Sequence, residues 1–216
     1  MWNETINLLL YGTWQTVYMV AIAGIISIIV GIPLGIILLT TRKNGILANK
    51  LYCYGLGIVV NIIRSIPFVI LLVALIPLTR LLVGTAIGTT AAIVPLAISA
   101  IPFVARLVEG ALADVSGGLI EAGQAMGATP CQIIIKILLP EALPTIINGI
   151  TITLITLTGY SAMAGAVGGG GLGEIAIDYG YQRFDATIML LTVIILILLV
   201  HLIQWAGDRI VKKLNH

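Results

Sequence analysis

Residue types that perform catalysis are few in this chain, and their spacing does not bring them together. The histidines are His201 and His216, the second being the last residue, so no nucleophile has a general base near it in the sequence. Cys53 and Cys131 lie far apart without a CxxC spacing or a histidine pair, which predicts neither a metal site nor a disulfide framework. The chain also lacks GxxxxGK[ST], the phosphate-binding loop of nucleotide hydrolases. We therefore expect no catalytic residue, no metal and no cofactor.

Glycines at residues 168–173 satisfy GxGxxG, a pattern that can bind the pyrophosphate of a dinucleotide. A dinucleotide site requires a strand before the pattern and a βαβ unit around it. Here the pattern follows a long apolar segment instead. It therefore predicts a sharp glycine turn of the backbone.

A run of small residues at 159–166 comes directly before that turn. Small residues let helices approach closely in lipid, so tight helix packing is one interpretation. The alternative is that the run lines a narrow passage, with Tyr160 and Met163 as the large residues able to close it. On that interpretation Tyr160, Ser161 and Met163 are candidate gate residues.

Arg64 is the one charge that the sequence places inside an apolar segment. Its long side chain can reach the cytoplasmic surface by snorkelling, and an ion pair or a contact with a solute are alternatives. No apolar segment contains a carboxylate near its middle. Proton-coupled carriers usually have one there, which argues against a carrier of that class.

Composition decides the class of protein. Of 216 residues, 59% are hydrophobic and 9% are charged, and the mean hydropathy is +1.14. Soluble domains carry roughly 25% charged residues, so this sequence predicts an all-α integral membrane protein with one domain. A bilayer span needs about 20 apolar residues. Five candidate spans meet that requirement, at residues 16–40, 55–78, 86–108, 143–167 and 186–205.

Proline and charge give further detail of these spans. Pro33 in the first span, and Pro67 and Pro77 in the second, predict kinks or loosened turns. The first 41 residues contain no Lys or Arg, so we expect no cleavable signal peptide.

Basic residues predict the orientation. Two of them, Arg80 and Arg183, fall in links on one side. Eight fall on the other side, namely Arg42, Lys43, Lys50, Arg106, Lys136, Arg209, Lys212 and Lys213. This bias predicts an outside N-terminus and a cytoplasmic C-terminus, with residues 109–142 as the largest cytoplasmic link.

That cytoplasmic link predicts two short helices. Ser116 can cap a helix that runs to Met126. Thr129 and Gln132 form the pattern of a capping box with a proline between them, and a second helix follows until Pro140 and Pro144. The link is therefore expected to be a rigid elbow rather than an ordinary loop.

The first of these helices is rich in small residues. Gly117, Gly118, Gly123 and Gly127 each cost about 1 kcal/mol relative to alanine if they lie within a helix. Because glycine has no side chain, it lets another backbone approach the helix closely. We therefore expect this helix to lie in a groove of a partner protein.

The spacing in this link is similar to that of a known family. Glu121, Ala122 and Gly123, then Gly127, Ile137 and the Leu139-Pro140 pair resemble the EAA-x3-G-x9-I-x-LP loop of ABC-importer permeases, with Gly123 in place of the third Ala. Stretches at 64–68, 127–130, 139–144, 151–160 and 165–173 resemble the methionine-importer members, and the resemblance extends from about residue 8 to residue 211.

The resemblance implies the type I importer fold in the inner membrane, a homodimer, two cytoplasmic ATP-binding subunits and an extracytoplasmic substrate-binding lipoprotein. It also implies that Met163 lies in the gate region. The substrate implied is methionine of either enantiomer, with another amino acid or small solute as the alternative. An ion-coupled carrier or a scaffold is a rival. The residues expected to couple to the ATPase are Glu121, Ala122, Gly123, Gln124, Ala125, Gly127, Ala128, Thr129 and Pro130.

Overall fold

Helices make up every regular element in residues 2–42 and 45–214, which are the residues that the computed structural model describes. In chain order they are α1 (Trp2–Thr40), α2 (Lys50–Ser65), α3 (Phe68–Ala74), α4 (Ile76–Val83), α5 (Thr89–Ala113), α6 (Gly117–Ala125), α7 (Pro130–Ile133), α8 (Leu139–Gly165), α9 (Gly171–Ile175) and α10 (Ala186–Leu214). Two π-helical turns follow α7 and α9, at Ile134–Leu138 and Ala176–Gln182. Lys43 and His216 lie outside the described residues. The predicted all-α class is confirmed.

Four helical stretches are long and apolar enough to cross a bilayer: α1, α5, the continuous stretch Pro130–Gly165 that includes α8, and α10. Helices α2 and α3 add a fifth if they are counted as one broken span, and they meet at an angle of 104°. The structure is therefore a multi-pass helical membrane protein with four or five spans.

Glycines bring α1 against α5. A Cβ atom at Gly31 would lie 2.7 Å from Cβ of Val104, and one at Gly35 would lie 2.6 Å from the backbone oxygen of Ala105. Helix α1 continues through Pro33, so the predicted kink or loosened turn at this proline does not interrupt the helix. Its small residues instead create a close interhelical contact, as is common in lipid.

The predicted second span is not one helix. Ile66 adopts an extended conformation with φ −85° and ψ 125°, because the residue before a proline disfavours the helical region. Helix α2 therefore ends at Ser65, and α3 begins after Pro67. A second interruption at Leu75 places Pro77 in the first turn of α4, where its missing N–H leaves no hydrogen bond unmade.

The glycine turn predicted at residues 168–173 is present, with positive φ at Gly168, Gly170 and Gly171. It leads into α9 and a π turn, which the sequence did not predict. Helix α9 packs on α1, where the N–H of Leu172 donates to Oγ1 of Thr16 at 2.9 Å. Helix α10 continues past the predicted limit at residue 205 as far as Leu214.

Candidate coupling segment and transport cavity

Helix α6 ends in a Schellman motif. The N–H of Gly127 donates to the oxygen of Gln124 at 2.9 Å, and the N–H of Ala128 donates to the oxygen of Gly123 at 3.0 Å. Gly127 has φ +77°, a conformation that only glycine adopts without strain. Gly127 is therefore the stop signal of α6 and not a glycine within a helix. At the other end, Ser116 holds the predicted cap position, although its side chain makes no capping hydrogen bond.

Gly123 faces its own chain and not solvent. It is the buried residue of α6, and a Cβ atom there would lie 2.7 Å from Cδ1 of Ile137 and 3.6 Å from Cγ1 of Ile133. Its lack of a side chain lets α6 lie directly on the segment that follows. The exposed positions of the helix are Gly117, Gly118, Leu119, Glu121, Ala122, Gln124 and Ala125.

The predicted capping box is confirmed at the start of α7. The N–H of Thr129 donates to Oε1 of Gln132 at 2.8 Å, and the N–H of Gln132 donates to Oγ1 of Thr129 at 3.3 Å. Pro130 occupies the first helical position, where no N–H is required. Cap and proline together fix where the second arm of the elbow begins.

Pro140 and Pro144 do not end that second arm, contrary to the prediction. Helical structure continues from Pro130 to Gly165 through the π turn Ile134–Leu138. A π turn changes the hydrogen-bond register of a helix, and here it ends two residues before Pro140, which has no N–H to donate. The second arm is therefore continuous with α8.

The elbow shares a hydrophobic core with the long helices. Ile133 and Leu138 are buried, and they belong to one cluster with Val108 and Leu112 of α5 and with Ile146 of α8. Close packing of this kind leaves little room for the elbow to move independently. The elbow therefore packs as one unit with α5 and α8.

A cavity of about 210 Å³ lies beside the break between α2 and α3. The rings of Phe68 and Tyr160 stack on its wall, with centroids 4.5 Å apart and an interplanar angle of 6°. Its polar lining residues are Arg64, Ser99, Thr153, Thr156 and Tyr160.

The three candidate gate residues have different surroundings. Tyr160 lines the cavity, and Met163 lies one helical turn further along α8 with 47% of its surface exposed. Ser161 is buried, with 1% of its surface exposed, and its Oγ donates to the oxygen of Thr158 at 2.8 Å. Tyr160 and Met163 therefore follow one face of α8, whereas Ser161 points into the helix packing.

The family model for the inner membrane component of binding-protein-dependent transport systems matches residues 31–216. This chain belongs to that family. The probable D-methionine transport system permease protein MetI of Vibrio cholerae is 64% identical over 210 residues, which is 97% of this chain and 93% of the relative. The D-methionine transport system permease protein MetI of Escherichia coli (strain K12) is 55% identical over 158 residues, 73% of each chain.

Solved structures agree with this family. A chain of an inward-facing MetNI methionine ABC transporter superposes with a TM-score of 0.97 at 53% identity, covering 99% of both chains. A chain of an amino acid ABC transporter with histidines superposes with a TM-score of 0.81 at 18% identity, which shows the fold alone. The chain is thus an inner-membrane, multi-pass transport component with the type I importer fold.

A buried carboxylate, not predicted from the sequence, links α5 to the segment that follows α1 and, through Arg106, to α2. Glu109 of α5 is 3% exposed and accepts hydrogen bonds from Nη2 of Arg42 at 2.7 Å and from Nη1 of Arg106 at 2.6 Å. Nη2 of Arg106 also donates to Oδ1 of Asn61 in α2 at 2.9 Å. The spacing of Arg106 and Glu109, three residues apart on a helix, was the available signal.

Proposed function

We propose that this chain is the membrane-spanning permease subunit of an ATP-driven ABC importer for methionine and related compounds. The observation that supports it best is the superposition on the MetNI methionine transporter chain, over 99% of both chains at 53% identity. Because the superposition covers nearly the whole chain, it includes the residues of the cavity and of the elbow. The permeases from Vibrio cholerae and Escherichia coli are named for D-methionine, which favours the same substrate.

The working assembly in this proposal is a homodimer with two ATP-binding subunits in the cytoplasm and a substrate-binding lipoprotein outside. The distribution of basic residues supports an outside N-terminus and a cytoplasmic elbow. Because the chain lacks a Walker motif, the partner subunits hydrolyse ATP.

Coupling uses the segment from Glu121 to Pro130. Its exposed small residues, Ala122 and Ala125, offer a surface that a groove on the ATPase can approach closely. The inner side, with Gly123, is held by Ile133 and Ile137 of the same chain. Closure of the ATPase dimer therefore moves the whole elbow, and α8 transmits that movement to Tyr160 and Met163 at the gate.

Uptake by the reconstituted complex tests the substrate. The permease, its ATPase and its own binding protein are placed in liposomes, and ATP-dependent uptake of L- and D-methionine is compared with that of other amino acids. We expect uptake of at least one methionine enantiomer. Uptake of a different amino acid alone would reassign the substrate, and the absence of uptake of both enantiomers would discard methionine.

Replacement of Ala122 by tryptophan tests the docking surface. We expect the variant to insert normally, because Ala122 is exposed on the single chain, and to recover about tenfold less ATPase on purification, since an indole prevents a close fit. Leu51→Trp is the control, because Leu51 is 82% exposed and lies outside the elbow. Normal recovery of ATPase with Ala122→Trp would remove this face from the interface.

A further inference from the structure

We propose that the cavity at the break between α2 and α3 is an internal site for a zwitterionic α-amino acid, and that Arg64 binds the carboxylate. This inference rests on the proposed function and adds to it the residues that contact the solute inside the membrane domain. It assigns a role to Arg64, for which the sequence left three alternatives open.

The cavity lies where a membrane helix is interrupted. Helices α2 and α3 meet at 104°, and Arg64, Ile66 and Phe68 at the break all line the cavity. Transporters commonly bind their solutes where a spanning helix is interrupted, because irregular backbone in the membrane requires either protein or a water-filled cavity around it.

Arg64 is available for a ligand. Within residues 2–42 and 45–214 its guanidinium makes neither a hydrogen bond nor an ion pair, whereas Arg42 and Arg106 both pair with Glu109. A guanidinium presents its N–H donors in a planar fork that fits the two oxygens of a carboxylate. A carboxylate that enters the cavity therefore finds an unpaired cation on its wall.

The hydroxyl groups of the cavity supply acceptors for the ammonium. Oγ of Ser99 donates to the oxygen of Leu96 at 2.8 Å, and Oγ1 of Thr153 donates to the oxygen of Gly149 at 2.8 Å. Thr156 makes the same kind of bond with Ile152 at 2.9 Å. Because each proton is already engaged, these hydroxyls can offer a ligand only their lone pairs. An α-ammonium can donate to them.

The remaining wall suits an uncharged side chain. Phe68, Phe103 and Leu157 contribute apolar surface, and none of the described lining residues is Asp or Glu. Thioethers make favourable contacts with aromatic rings, and the stacked pair of Phe68 and Tyr160 provides such rings. A volume of 210 Å³ corresponds to about seven water molecules, which is room for one amino acid. A cationic side chain would find no counter-charge.

Photo-crosslinking tests the site directly. The permease–ATPase complex, without its binding protein, is irradiated with photo-methionine, in which a diazirine replaces the thioether, and the labelled peptides are mapped by mass spectrometry. We expect labels within residues 63–68, 99–103 and 153–160. Unlabelled methionine should compete, and methionine amide, which lacks the carboxylate charge, should compete about tenfold to a hundredfold more weakly.

Variants of Arg64 separate ligand binding from structure. In Arg64→Gln we expect labelling to fall about tenfold or more, and the preference for methionine over its amide to disappear. Arg64→Lys should retain part of that preference, and Arg80→Gln, which changes an exposed arginine of α4 away from the cavity, should behave as the wild type. A purely structural role for Arg64 would leave the preference between methionine and its amide unchanged.

Three results would overturn the assignment. Labels could fall outside these segments, or labelling could be unchanged in Arg64→Gln. Alternatively, the wild-type complex could import methionine and yet show no labelling. In each case uptake of methionine by the wild type keeps the proposed function intact. If the wild type imports neither enantiomer, the proposed function itself fails, so the two failures are distinguishable.

Discussion

Gly173→Ala is expected to prevent most of the protein from folding and to abolish uptake. A Cβ atom at Gly173 would lie 2.5 Å from Cα of Ala162 and 2.8 Å from its carbonyl carbon. These are backbone atoms of α8, which cannot rotate away as a flexible side chain could. Overpacking of a core usually costs about 1–3 kcal/mol, and we expect about 3 kcal/mol or more where backbone meets backbone.

The measurement is the yield of monodisperse protein on size-exclusion chromatography, together with its midpoint of thermal unfolding. Gly55→Ala is the matched control, because a methyl group added at Gly55 of α2 would have no atom within 4 Å to clash with. Gly165→Ala should resemble Gly173→Ala, since its Cβ atom would lie 2.7 Å from the carbonyl carbon of Gly173. A wild-type yield of Gly173→Ala would show that α8 and α9 are not in this contact.

Glu109→Ala is the substitution with the second largest expected effect. It removes the carboxylate that Arg42 and Arg106 share and leaves the Arg106 guanidinium, which is 25% exposed, beside an apolar core. Loss of one partner of a buried pair costs about 3–5 kcal/mol, and we expect about 2–3 kcal/mol because water can reach both arginines. The contact between α1 and α5 should loosen at the same end of the molecule as the elbow.

Thermal unfolding of the purified complex, followed by the ratio of ATP hydrolysed to solute imported, measures this effect. Asp114→Ala removes the same charge from an exposed position just beyond α5 and should change neither quantity. Glu109→Gln keeps the shape and part of the hydrogen bonding, so its midpoint should fall between those of Glu109→Ala and the wild type. Equal midpoints for Glu109→Ala and Asp114→Ala would show that the ion pairs do not stabilise the fold.

Local rules explain which parts of the elbow could be predicted from the sequence. The capping box at Thr129 depends on residues three positions apart, so the sequence alone identifies it. The orientation of Gly123 depends on Ile133 and Ile137 of a later segment, and no local pattern contains that information. The prediction that the second helix ends at Pro140 is wrong for a related reason. The π turn that accommodates this proline is a property of the folded helix.

Two features could not be predicted because they depend on contacts that are distant in the sequence. Helix α9 is short and glycine-rich, and it is stabilised by contacts with α1, such as the bond from Leu172 to Thr16, that are far away in sequence. The sequence places Glu109 one residue beyond a predicted span, and therefore in a solvated link. On that placement Arg42 and Arg106 indicate only the orientation of the chain, whereas in the structure both pair with Glu109.

In the proposed coupling, the continuous helix from Pro130 to Gly165 also determines how far the gate moves. From Pro130 to Tyr160 it measures about 45 Å, at about 1.5 Å of rise per residue. Pivoted at one end, an arm of that length converts a tilt of about 5° into a displacement of about 4 Å at the other, from the same rise per residue. In the proposed assembly, an arm of this length would let a small rotation at the ATPase open a passage as wide as a methyl group without bending.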